Sequence, residues 1–459
     1  MVLPGKIKSA VVKKTINIPL LFMKTRIIIY LSLLCCTGIK AQKQWTLSDC
    51  IDYAIEHNLE IQKQEVTQKQ QEIELNTAKF SRLPNLNGNA SQSFDFGRAL
   101  NSQNIYTDRN TKNTSFNVST DIPLFTGMQI PNTIALNKLN LKASIEDLNK
   151  AKEDIGIQVT SSFLQVLFNE ELYKVAQEQV RLSKEQYERI KRLNEVGKAA
   201  VSEVYEAKSR VAQDELSMTQ TYNNWKLALL DLSQLLELPS PEGFEIISPE
   251  EQPDFQTLSS PDDLFNIAVL SKPGILATQY RLQGTGKSIR IAQSAYYPKL
   301  SFGAGISTAY YNLKGVDNEP FGKQLGNNFS KYVGFTLSVP IFNRLETRNR
   351  VRTARLNQTM QSLALEDSKK TLYKEIQQAY YNAVAAQSKY YSCETAMAAS
   401  DASFRLMKEK YDNGKATAVE YNEIKTNLMK ATSDKIQAKY EYIFRKKILD
   451  FYKGIPLNQ

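Results

Sequence analysis

Glu420 and Glu423 are the residues whose type and spacing point to chemistry. They are three apart, so one helix face carries both, and Glu203 and Glu206 repeat the spacing earlier in the chain. Paired acids attract cations. A solvated helix face ion-paired to Lys415 or Lys425 would have the same pattern. Nothing nearby completes a catalytic set. His57 is the only histidine, and between Glu56 and Asn58 it reads as a helix end or turn. The cysteines and this histidine have no metal-site spacing. No glycine-rich phosphate loop follows a strand. The sequence therefore argues against an enzyme, and no cofactor or metal is expected.

Both acid pairs follow the same kind of turn. Tyr411-Asp412-Asn413-Gly414-Lys415-Ala416-Thr417 leads to Glu420, and Gly197-Lys198-Ala199-Ala200 leads to Glu203. Gly414 stands 217 residues after Gly197. Ile122-Pro123-Leu124-Phe125 returns at the same interval as Val339-Pro340-Ile341-Phe342, and Leu83-Pro84 returns 214 residues on as Tyr297-Pro298. Three ordered self-matches mean an internal duplication. The expected division is a first repeat over 42–261 and a second over 262–459.

The chain carries a net charge of +10. Lys6, Lys8, Lys13, Lys14, Lys24, Arg26 and Lys40 supply seven of those charges, and residues 1–40 hold no acid. A basic, nucleic-acid-binding protein is thus not implied. Lys24 and Arg26, the apolar run Ile27 to Cys36 and the small residue Ala41 read as a cleavable signal peptide over 1–41. Cys35 and Cys36 invite a lipid anchor, but the bulky residues before them argue against it. No later apolar run approaches the roughly 20 residues of a membrane helix. A membrane crossing by this chain has to be a β-barrel.

Two stretches alternate with period two. Gly88, Ala90 and Phe94 alternate with Asn89, Ser91 and Ser93, and Phe116, Val118 and Ile122 alternate with Asn117, Ser119 and Asp121. Phe302, Ala304 and Ile306, then Val333, Phe335 and Leu337, repeat this in the second half. The expected β-hairpins cover 85–125 and 299–342. One apolar and one small or polar face is the pattern of membrane strands. Two hairpins alone could not build the core of a soluble sandwich.

The remainder is helical. Leu372, Ile376, Ala379, Ala383, Ala386, Tyr390, Cys393, Met397, Ser400, Phe404, Met407 and Tyr411 step by four and three, a coiled-coil seam. Ile155, Val159, Val166, Ala176, Val180, Ser183 and Ile190 belong to its counterpart 217 residues earlier. Cys393 is then a packing residue. The expected helical hairpins cover 126–237 and 344–452, with a proline-rich linker over 238–261. The short helices before each β-hairpin would stack end to end on the return helices.

These features together resemble the TolC family of outer-membrane efflux channels. The residues that carry the resemblance are Leu47 to Asn58, Leu83-Pro84, Ile122 to Phe125, Tyr187 to Glu206, Val339 to Phe342 and Tyr411 to Glu423. The resemblance implies a mainly α fold with a membrane β part. Three subunits form a periplasmic α-barrel of long coiled-coil helices, and four strands from each close a twelve-stranded β-barrel. It implies an outer-membrane location reaching into the periplasm, a periplasmic adaptor, an inner-membrane pump and contact with outer-membrane lipid. By resemblance, Glu420 and Glu423 ring the periplasmic entrance. Ser202 and Tyr411 match a pair that holds the end closed, and Glu203 matches the acid of a second pair. The arginine expected opposite Glu203 falls at Ala416, so this latch is weaker or differently built. The ends Gly197-Lys198-Ala199-Ala200 and Gly414-Lys415-Ala416-Thr417 match adaptor-docking turns, although a tight turn alone would also explain their glycines.

The function expected is a passive export conduit of a tripartite efflux system. An exit duct for type I protein secretion has the same sequence features. A periplasmic or surface coiled-coil structural protein would lack the duplicated alternating hairpins. An adaptor would need a lipoyl-like β domain and a single hairpin.

Overall fold

A computed structural model describes residues 44–100, 104–108, 110–247, 255, 258–314 and 317–457. The expected leader, with Cys35 and Cys36, lies outside the described residues. The chain opens with strand β1 (Gln44–Trp45), helices α1 (Leu47–His57) and α2 (Leu59–Phe80), and strands β2 (Asn87–Asp95), β3 (Arg98–Leu100), β4 (Tyr106–Asp108) and β5 (Thr111–Phe125). A helical hairpin follows, α3 (Gln129–Glu195) and α4 (Val201–Leu235), then strand β6 (Glu245–Ile246) parallel to β1. The second half contains α5 (Pro261–Ser271), α6 (Pro273–Gln293), β7 (Lys299–Leu313), α7 (Phe321–Asn327), β8 (Ser330–Ser338), α8 (Glu346–Asp412) and α9 (Ala418–Tyr452). Element lengths recur between the halves. Helices α3 and α8 have 67 residues each, α4 and α9 have 35 each, and α1 and α5 have 11 each. At 1.5 Å per residue the long helices span about 100 Å.

Strands β2, β5, β7 and β8 form one antiparallel sheet in that order, with β2 and β8 at its edges. Residues opposite each other in a sheet share a face. Val118 lies opposite Gly88 and Ile306, and Ile122 lies opposite Phe302, which faces Phe335. One face is therefore mainly apolar across the four strands, interrupted by Lys331 opposite Ile306 and by Thr120 opposite Ala304. On the other, Asn117, Ser307 and Ser330 stand in line, with the two serine hydroxyls 2.7 Å apart. The alternation seen in the sequence is thus in register.

Strand β7 pairs with β8 only as far as Ser307. Beyond that point side chains of the connecting segment take over the free edge. The Gln324 amide accepts from Tyr311 N and donates to Tyr311 O, each at 2.9 Å. Asn318 does the same at Leu313, again at 2.9 Å. This satisfies backbone groups that would otherwise be open. The short helix α7 is what aims Gln324 at the strand.

Short helices join the long ones midway along their length. Cys50, Ile51 and Ala54 of α1 pack with Val159, Phe163 and Leu232 of the first helical hairpin. Leu264 and Ala268 of α5 pack with Leu372, Ile376 and Ala379 of α8. Each fully buried Val, Leu, Ile or Phe among them contributes about 1.5–3 kcal/mol. Cys50 and Cys393 are not joined in a disulfide, and the first lies in this core. His57 ends α1, with Nδ1 3.0 Å from Tyr53 O and its ring stacked on Tyr53. The seam residues of α3 and α8 are buried or half-buried throughout. Among the described residues no helix is long and apolar enough to cross a membrane.

The end-to-end junction is made by Asn58. Its side-chain oxygen accepts from Glu60 N at 2.9 Å, capping α2, and its amide donates to Leu235 O at 3.1 Å, closing α4. At the other extreme of α3, Gly127 (φ +63) and Met128 (φ 66) turn strand into helix, as Arg344 (φ 54) and Leu345 (φ 64) do before α8. A Cβ on Gly127 would sit 2.5 Å from Ser294 O, so both the left-handed conformation and the crowding require glycine.

Candidate functional site

The two helical hairpins end in the same turn. Gly197 (φ +73) donates to Asn194 O and Lys198 N donates to Leu193 O. Gly414 (φ +69) and Lys415 repeat both bonds, to Tyr411 O and Lys410 O. These are the paired bonds of a Schellman cap, which needs a left-handed residue at the glycine. The lysine contributes only its backbone amide to the turn, so its side chain is free for other contacts. Lys415 belongs to this turn and not to a helix.

The acids start the return helices. Thr417 caps α9: its hydroxyl accepts from Glu420 N at 3.2 Å, and the Glu420 carboxylate accepts from Thr417 N at 2.8 Å and from its hydroxyl at 2.9 Å. These bonds hold the Glu420 carboxyl below the usual carboxylate range. Glu203 does half of this in α4, accepting from Ala200 N at 3.4 Å, because Ala200 has no side-chain oxygen to return the bond. Both carboxylates thus cap their own helices. Glu423 lies on the exposed surface of α9 one turn further on. The alternative in which Lys425 pairs with these surface acids is overturned: Lys425 is 1% exposed and points the other way.

Tyr411 meets neighbours the sequence did not single out. Its ring stacks on Tyr421 with centroids 4.7 Å apart, and the Arg189 guanidinium lies over it at 4.9 Å. Arg189 of α3 also donates to the carbonyl oxygens of Tyr411 (3.3 Å) and Asp412 (3.1 Å) and pairs with the Asp412 carboxylate. A cation at the last turn of α8 satisfies its free carbonyls and its dipole. Ser202 is exposed and makes no hydrogen bond among the described residues. Within one chain Ser202 and Tyr411 are therefore not brought together.

A second group went unread in the sequence. Lys425 of α9 donates to Ser183 Oγ at 2.8 Å, and its Nζ lies 3.9 Å from the Asp214 carboxylate. Ser183 itself donates to Asp214, as does Gln179 Nε2 at 3.1 Å. The signal was available: Lys425 falls between Tyr421 and Leu428 at four and three, a seam position where a charge is anomalous.

The family model described as "Outer membrane efflux protein" matches residues 50–237 and 264–449, one stretch in each half of the fold. The chain belongs to this family. As an outer membrane efflux protein it sets its four-stranded sheet in the outer membrane and extends its helices into the periplasm. It is similar to the cation efflux system protein CusC of Escherichia coli O157:H7, 23% identical over 360 residues, 74% of this chain and 72% of that one. It is also similar to the outer membrane protein TolC of Vibrio cholerae, 20% identical over 316 residues, 68% of this chain and 70% of that one. Among solved structures, the CmeC outer membrane channel of Campylobacter jejuni superposes with a TM-score of 0.74 at 20% identity, over 90% of this chain and 86% of that one. A crystal structure of CusC gives 0.71 at 16% identity, over 89% and 91%. The efflux family is one of channels.

Proposed function

We propose that three copies of this efflux protein close a passive conduit, coupled through a periplasmic adaptor to an inner-membrane pump. The open edges of the sheet carry this reading. Strands β2 and β8 each have one unpaired side, and in lipid an unpaired edge is not tolerated. Four strands are too few to close on themselves, and three copies supply twelve. The helices below are consistent with this. Leu59, Val66, Ile73 and Phe80 of α2 are exposed at seven-residue spacing, and Leu356, Met360 and Leu363 of α8 are exposed on the opposite flank. Each stripe is a seam lacking its partner, and side-by-side copies supply it.

In that assembly Glu420 and Glu423 contribute six carboxylates around the entrance and favour cations. Ser202, Glu203 and Tyr411 face the neighbouring copy as an inter-subunit latch. The turns Gly197-Lys198-Ala199-Ala200 and Gly414-Lys415-Ala416-Thr417 receive the adaptor, their small side chains admitting a close approach and their lysines left free by the backbone cap. The conduit holds no cofactor, and its energy comes from the pump. The cation efflux system named for CusC supports solute efflux over protein secretion. Heat-modifiable migration of a detergent-extracted outer-membrane trimer, with ion conductance in planar bilayers, tests the reading. A monomer without conductance would refute it.

A further inference from the structure

The buried group around Lys425 joins three helices at one point, about 10 Å from the start of α9 at 1.5 Å per residue. Gln179 and Ser183 come from α3, Arg210 and Asp214 from α4, and Lys425 and Thr426 from α9. Arg210 Nε lies 3.4 Å from the Asp214 carboxylate and its Nη2 donates to Thr426 Oγ1 at 3.2 Å. Lys425 also reaches Gln179 O at 3.5 Å. Lys425, Asp214, Ser183 and Gln179 are all buried.

The group is incompletely satisfied. Gln179 Oε1, Arg210 Nε and Asn422 Oδ1 are buried there without a hydrogen-bond partner. Lys425 uses one strong bond of the three its ammonium can make. A buried network in this condition is held together by packing and gains hydrogen bonds when water enters. An apolar seam would have no such alternative.

We propose that Lys425 and Asp214 are positioning residues for the channel's periplasmic end: seated together they hold α9 against α3 and α4, and when they part α9 moves away, carrying Glu420 and Glu423 out of the entrance. This rests on the conduit reading above. The two residues touch no exported solute and act through α9.

The seat has a pH signature. Burial pushes the Lys425 ammonium down to about 8 from its ordinary 10.5, against the pull of Asp214. The charged groups around it are Asp214 and Arg210 from α4 and Glu178 from α3, with Lys408 of α8 acting on Glu178. A parted, hydrated Lys425 regains its ordinary value. Between about 8 and 10.5 the parted state thus holds the extra proton, so raising the pH through that window favours the seated state. Below about 8 both states are charged and the preference is constant.

The test uses the mature trimer in planar bilayers, comparing wild type with Lys425→Ala and with the paired replacement Lys425→Met plus Asp214→Leu. Wild-type conductance is expected to fall as pH rises through the window, the closed-to-open ratio gaining up to about tenfold per pH unit. Lys425→Ala removes the only charge that α9 contributes to the seat and leaves Asp214 with its α3 and α4 partners alone, and conductance is expected to rise by about tenfold or more at neutral pH. The paired apolar variant keeps the seam filled. It is expected to assemble, to conduct less than wild type and to lose the pH response. If Lys425→Ala fails to assemble, the paired variant decides alone. A paired variant that keeps the wild-type pH response and conductance overturns the proposal. A wild-type trimer with no conductance at any pH overturns the conduit reading instead, and the proposal with it.

Discussion

Arg189 and Asp412 tie the far ends of the two helical hairpins together. The guanidinium spans from α3 to the last turn of α8, paired with the Asp412 carboxylate and bonded to two backbone carbonyls, while its plane covers the Tyr411 ring. The two halves of the duplicated chain thus share a contact that neither repeat contains. Because the Schellman turn starts at Gly414, this contact also fixes where the second turn lies relative to the first.

Arg189→Ala is expected to loosen that end. Loss of a cation at a helix C-terminus costs about 1 kcal/mol, roughly a fivefold shift in an open-to-closed ratio. Single-channel recording of the purified trimer would show it as more frequent opening. Arg189→Lys keeps the charge but not the fork and is expected to fall between.

Tyr411→Phe keeps the ring stacked on Tyr421 and under Arg189, so the contacts within one chain are expected to survive. Combined with Ser202→Ala it removes only the proposed bond to the neighbouring subunit. Raised passive conductance in this double variant would locate the latch between subunits. Unchanged conductance would eliminate it.

Glu423→Gln is expected to lower the cation-to-anion permeability ratio without affecting the helix start. Glu420→Gln is expected to lower it too and to weaken the α9 cap. The Thr417 bonds hold Glu420 below the ordinary carboxylate value, so its charge is present above that value and is lost only as pH falls through the depressed one. Reversal potentials measured from about pH 7 to about pH 5 should therefore show its contribution unchanged.

Two glycines should respond differently to alanine. At Gly414 only the left-handed φ of 69° objects, with nothing within 4 Å of a new Cβ, and the cost is about 1–2 kcal/mol, felt locally. At Gly127 the new Cβ also meets Ser294 O at 2.5 Å and Tyr297 Cβ at 2.8 Å. Gly127→Ala is expected to reduce trimer yield in the membrane fraction, while Gly414→Ala assembles normally and shows faster hydrogen exchange confined to the turn.

Asn58→Ala removes a cap and leaves the Leu235 carbonyl without its donor, in a site only 5% exposed. The expected loss is about 1–3 kcal/mol. Asn58→Asp restores the cap but not the donor and is expected to recover part of it. Thermal unfolding of the detergent-solubilised protein measures both.

Much of this protein was legible in its sequence because two periodicities did the writing. Alternation by two fixed which strand residues share the apolar face of the sheet, and steps of four and three fixed the buried seams of α3 and α8. Glycines needing a left-handed backbone marked the turns, and the self-match announced the duplication. These are local rules, obeyed within a few residues of each other along the chain. The sequence alone could not decide which residues meet across the fold. Lys425 entered only as an alternative partner for the acids on its own helix and instead spans to Ser183 and Asp214, because burial of a seam position overrides proximity in sequence. Glu420 read as a ring acid or as the partner of a nearby lysine, and its carboxylate is bound to Thr417; Arg189 lies more than two hundred residues from the carbonyls it satisfies. Such pairings are set by where the helices come to rest against one another, and only the tertiary structure records that.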